Sequence, residues 1–183
     1  MGSSLMIISA FVVGCILAAL DLLPEWFYSG GLDMWLLYAL MLQVGISIVG
    51  TLVMCFGVSF LISRWSIGEV MAAGSGFGYY SLSSILVSSL KEASIGVQAA
   101  AELGTITLMA NIFREMMTLV FAPLMVRWFS PLAPICSGGA TTMDVTLPVI
   151  TRYSGQKWVF VSIVHGVVVD FSVPILVPLF CSM

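Results

Sequence analysis

Residues 103–125 read LGTITLMANIFREMMTLVFAPLM, an apolar stretch with Arg114 and Glu115 set halfway along it. At about 1.5 Å per residue, a helix of this length crosses a hydrocarbon layer of about 30 Å. Thr107, Asn111, Arg114, Glu115 and Thr118 recur at helical spacing, so one side of the helix is polar through the middle of the membrane. An ionised side chain at that depth costs about 2.5 kcal/mol or more, so the polar side must meet protein or water rather than lipid. Consecutive residues point about 100° apart on a helix, and Arg114 and Glu115 therefore do not neutralise each other. Each needs a separate partner. The requirement is met by several spans packed together, an all-α polytopic membrane protein.

The rest of the composition agrees. Lys and Arg number 6 and Asp and Glu 9, where a soluble domain of this size holds roughly 46 charged residues. Residues of the AVILMFWYC set make up 60% of the 183 positions and the mean hydropathy is +1.13. A single soluble core is excluded. The net charge of −3 comes from scattered groups with no basic run, which excludes nucleic-acid partners. Cys15, Cys55, Cys136 and Cys181 lie far apart in apolar surroundings without a C-x-x-C spacing, as buried free thiols do. Cys181 stands one place short of a prenylation box. The first apolar segment lacks a basic n-region and an A-x-A site, so it is expected to stay as a span.

The expected spans lie near 5–23, 34–63, 70–90, 103–125, 134–150 and 158–180, in one transmembrane domain over 1–183. Residues 34–63 carry no charge and form either one steep helix or two spans that have lost their connection near Gly45 to Gly50. Two others are rich in Gly and hydroxyls. The first reads Gly74-Ser75-Gly76-Phe77-Gly78-Tyr79-Tyr80-Ser81, and the second Ser137-Gly138-Gly139-Ala140-Thr141-Thr142-Met143-Asp144. Both fit discontinuous helices whose unwound backbone is free to bind a ligand, and close packing through small residues is the competing reading. Six to seven crossings follow. With seven, Arg152 and Lys157 lie inside, as the positive-inside rule prefers, and Arg127 opposes it. The acids Asp21, Glu25 and Asp33, with Trp26, Phe27 and Tyr28, suit an outside connection.

Glu115 is the first candidate for a titrating acceptor in a substrate or proton path, against a structural ion pair. Asp144 either coordinates a cation or caps a half-helix. His165, in the last span, suits proton relay or a fixed hydrogen bond, and Asp170, about 140° round the same helix, does not share its face. Arg114, Asn111, Ser75, Tyr79, Ser81, Thr141 and Thr142 complete the candidate set for substrate binding or proton coupling. Phe77, Tyr79 and Tyr80 are placed to cover an alkyl stem or a cation. Enzyme signatures fail: Gly74, Gly76 and Gly78 lack the G-x-G-x-x-G spacing, one His cannot form an H-E-x-x-H site, and no G-x-S-x-G elbow exists. No cofactor or metal is expected.

At Ala73-Gly74-Ser75-Gly76-Phe77-Gly78-Tyr79-Tyr80-Ser81-Leu82-Ser83-Ser84, Arg114-Glu115, Gly139-Ala140-Thr141-Thr142-Met143-Asp144-Val145-Thr146-Leu147-Pro148 and Val164-His165-Gly166, the chain resembles the LysO lysine-exporter family. The likeness runs strongly from about Arg64 onward and matches the C-terminal part of longer members. It implies export of L-lysine and of analogues such as thialysine across the bacterial inner membrane, with protons as the coupling ion. Glu115 matches the family's intramembrane acid, and Asp144 and His165 match motif positions, whereas Asp170 replaces a small polar residue. The resemblance also implies one subunit of a split exporter, paired with a small membrane protein matching the family's N-terminal part, or else a homo-oligomer. Where the family carries a basic loop, this chain passes straight from Ile48-Val49-Gly50 to Thr51-Leu52-Val53. The alternative to transport is a structural or channel-like subunit whose polar helix face binds a partner.

Overall fold

A computed structural model describes residues 32–183, with side chains from Leu42 onward. The expected first span, Cys15 and the acidic, aromatic connection lie outside the described residues. The chain divides into two compact units after Tyr38, and the second, Ala39–Met183, holds the packed helices and the candidate site. The helices are α1 (Leu32–Ser59), α2 (Ile67–Gly74), α3 (Tyr80–Ile95), α4 (Val97–Trp128), α5 (Ala133–Gly138), α6 (Leu147–Ser154) and α7 (Val159–Cys181). Short 3₁₀ turns at Gly139–Met143 and Gln156–Trp158 link α5 to α6 and α6 to α7. Among the described residues there is no strand. Three helices, α1, α4 and α7, are long and apolar enough to cross a membrane. Of the uncharged run at 34–63, residues 34–59 lie in a single helix, α1, with no break near Gly45 to Gly50.

Each break has a local cause. Ser66 accepts from the Glu69 amide while the Glu69 carboxylate accepts from the Ser66 amide, a reciprocal cap that starts α2 sharply. Gly96, at φ +85, ends α3 and begins α4. Between α2 and α3, Phe77 adopts φ +44 and Gly78 φ +93. A positive φ costs a non-glycine residue about 1–3 kcal/mol, so the surroundings must hold Phe77 there. They do, because Phe77 is fully buried at the centre of the larger core cluster, with Ala72, Val87, Leu103, Ala140 and Val169. A second, smaller cluster joins Ile135, Ile150 and Val161.

The radial pattern is the reverse of a soluble protein's. On α4, Met109, Phe113, Met116, Val120 and Phe121 face outward, while Thr107, Asn111 and Thr118 are buried. Lipid tails solvate the exposed aliphatic and aromatic chains, so packing and hydrogen bonds hold the helices together.

Candidate functional site

The site is built where the two Gly-rich turns meet. The Ala140 amide donates to the Phe77 carbonyl at 2.8 Å, joining the α2–α3 turn to the α5–3₁₀ turn. Gly139 makes this approach possible. Its φ is +63, and a Cβ there would fall on the Phe77 carbonyl. Asn111 of α4 supports the junction from below. Its Oδ1 accepts from the Gly78 amide at 2.8 Å, and its Nδ2 donates to the carbonyls of Thr107 at 2.8 Å and Ala73 at 3.2 Å. One side-chain amide thus satisfies both a donor and an acceptor left by the unwound backbone.

Arg114 stands one turn further along α4, and its guanidinium lies 5.6 Å from the Phe77 ring centre. Its Nε donates to the Ser137 carbonyl at 2.7 Å and Nη2 to the Cys136 carbonyl at 3.1 Å. These carbonyls close the short helix α5, whose C-terminal end carries partial negative charge. Nη1 reaches Thr51 Oγ1 at 3.1 Å and Nη2 reaches Ser47 Oγ at 3.5 Å, both on α1. Among the described residues no carboxylate pairs with Arg114; the ion pairs are Arg64 with Glu102 and Lys91 with Glu69.

Thr142, buried in the 3₁₀ turn, lies 3.2 Å from His165 Nδ1, and its hydroxyl also contacts the carbonyls of Gly139 and Ser162. Ser162 returns a hydrogen bond to the Thr142 carbonyl at 2.8 Å. His165 is wholly buried and its Nε2 has no hydrogen-bond partner among the described residues. Glu115 is half-buried, and its Oε2 is shielded from solvent with no hydrogen bond among the described residues. Asp144 is exposed and accepts from the Val145 amide at 2.6 Å, while α6 begins at Leu147 without a side-chain cap.

The structure therefore gathers Asn111, Arg114, Thr142 and His165 around the two turns, with Glu115 on the neighbouring face of α4. Thr141 is buried against the Gly138 carbonyl, and Ser75 is spent on the Met71 carbonyl. Tyr79 and Ser81 are exposed. Gln43, Ser47 and Thr51 are absent from the residues expected on sequence grounds, although their spacing of four, continued by Cys55, repeats the signal seen on α4. The buried pair Glu69 and Lys91 is absent too, although its S-x-x-E cap signature is visible at Ser66.

Residues 46–181 match the sequence profile of the family described as lysine exporter LysO. The chain belongs to that family. It is 35% identical over 137 residues to the lysine exporter LysO of Escherichia coli strain K12, covering 74% of this chain and 41% of that protein. It is 30% identical over 136 residues to a putative lysine exporter of Haemophilus influenzae, covering 74% of this chain and 63% of that one. The chain thus spans less than two thirds of the length of either relative. No solved structure matches. The LysO match takes in α2 to α7 and the second half of α1, so the junction of the two turns is a feature of the matched region. With three apolar helices of spanning length, this LysO member is an integral membrane protein.

Proposed function

We propose that this chain exports L-lysine, and analogues such as thialysine, from the bacterial cytoplasm across the inner membrane by exchange for protons. The observation that carries the reading is the Glu115 carboxylate, midway along α4, with one oxygen shielded from solvent and no basic partner among the described residues. A carboxylate at that depth is costly unless a cation visits it. The substrate ammonium is that cation, Asp144 adds negative charge beside it, and protonation of the acid releases it. His165, with a free ring nitrogen, is the proton carrier between the turns.

In this reading α2 with α3, and α5 with α6, cross the membrane as discontinuous helices, giving six to seven crossings for the whole chain. The remaining length found in the relatives, on this polypeptide or a second one, completes the transport unit. The polar side of α4 is already occupied by its own chain, since Asn111 and Arg114 bond to the turns and α5. That speaks for transport over a face reserved for a partner helix. The test is export in cells challenged with thialysine. Glu115→Gln is expected to abolish resistance at unchanged protein level, and retained resistance overturns the assignment.

A further inference from the structure

Arg114 is a half-buried cation that the described residues meet only with carbonyl and hydroxyl oxygens. Its bonds fall into two kinds. Those from Nε and Nη2 to the Ser137 and Cys136 carbonyls fix the plane of the guanidinium against the end of α5. The contacts to Thr51 and Ser47, at 3.1 and 3.5 Å, are to neutral hydroxyls on the wall of a cavity of about 750 Å³ between α1, α4 and α5. A carboxylate is a stronger acceptor for a guanidinium than a hydroxyl, so this side of Arg114 is open to exchange.

One turn from Ser47, about 5.4 Å along α1, stands Gln43. It is 2% exposed, its amide nitrogen reaches the Leu132 carbonyl at 3.4 Å, and its Oε1 has no partner among the described residues. An orphaned acceptor of this kind costs about 1–3 kcal/mol unless a donor comes to it. Both Gln43 and Arg114 line the cavity, whose remaining wall is mainly apolar. Glu115 lies on the adjacent face of the same helix as Arg114, outside the cavity.

We propose that this cavity receives the α-amino-carboxylate head of the substrate, the carboxylate on Arg114 and the α-ammonium on Gln43 Oε1. The inference rests on the amino-acid export reading and deepens it. Glu115 recognises a cation, which any diamine offers, whereas the cavity distinguishes an amino acid from a diamine.

The test uses the purified full chain in phosphatidylcholine nanodiscs, with labelled L-lysine displaced by unlabelled L-lysine, by cadaverine, which lacks the carboxylate, or by 6-aminohexanoate, which lacks the α-amine. Cadaverine is expected to compete at least about tenfold more weakly than lysine, and Arg114→Gln to narrow that gap to about twofold, as loss of a charge-assisted pair implies. Gln43→Leu leaves the Arg114 bonds to the end of α5 untouched, giving up only the long bond to the Leu132 carbonyl, and is expected to narrow the gap between lysine and 6-aminohexanoate. Glu115→Gln is expected to weaken lysine and cadaverine alike. Wild-type protein that binds cadaverine as well as lysine overturns the proposal and leaves the export reading standing, as does Gln43→Leu with an unchanged ratio. Absence of any lysine binding, also when the small membrane protein matching the family's N-terminal part is supplied, overturns both. Displacement of lysine by phosphatidylglycerol, with no lysine-over-cadaverine preference, assigns Arg114 to a lipid phosphate and overturns the proposal.

Discussion

Gly139 and Asn111 do most to set the geometry of the site, in different ways. Gly139→Ala puts a methyl group onto the Phe77 carbonyl at a φ of +63. It is expected to lower stability by about 2 kcal/mol or more, read as a fall in the thermal midpoint of the detergent-solubilised protein. Asn111→Leu keeps the volume but strands the Gly78 amide, and the expected loss is about 1–3 kcal/mol in the same assay. Asn111 was legible in the sequence as one of several polar residues on one helix face. Its partners were not, because helical spacing says which side a residue is on and nothing about which unwound backbone comes to meet it. Arg114 likewise stood out as a membrane charge, and its attachment to the end of α5 depended on a turn whose course no local pattern fixes.

Among the elements, α2 is held to α3 by Glu69 and Lys91, 3.8 Å apart with both side chains almost wholly buried. Removing one member of such a pair costs about 3–5 kcal/mol because the other charge is left stranded. Gln still serves in the cap with Ser66, so Glu69→Gln isolates the charge. The single variant is expected to be strongly destabilised and Glu69→Gln with Lys91→Met to recover most of the loss, measured as a double-mutant cycle in thermal midpoints. Glu102, paired with Arg64 at the exposed surface, provides the contrast: Glu102→Gln is expected to cost less than about 1 kcal/mol. The long helices α4 and α7 could be read from apolar length alone. The short ones, α2, α5 and α6, could not, since their limits are set by a cap, by Gly139 and by neighbours distant in sequence. The run at 34–63 was ambiguous because length without charge does not separate a tilted helix from two spans, and it is one helix over Leu32–Ser59.

At the scale of the whole molecule, the described helices turn large apolar side chains outward while polar ones such as Thr107, Asn111 and Thr118 are buried beside the apolar core, a pattern that follows from composition and was legible from the start. That Arg114 and Glu115, adjacent on one helix, meet different surroundings needed the chain's full path: Arg114 braces the end of α5, and Glu115 lies on the neighbouring face of α4. Export by this unit is expected to depend on Glu115 and His165 and to tolerate substitution at Ser81, which faces outward; thialysine sensitivity of cells carrying each variant measures the ranking. The single bond from the Ala140 amide to the Phe77 carbonyl has a mechanical corollary. It yokes two segments some sixty positions apart, so neither can tip toward one leaflet while the other stays put. In hydrogen–deuterium exchange that amide should rank among the slowest in the region and quicken whenever the pair rocks.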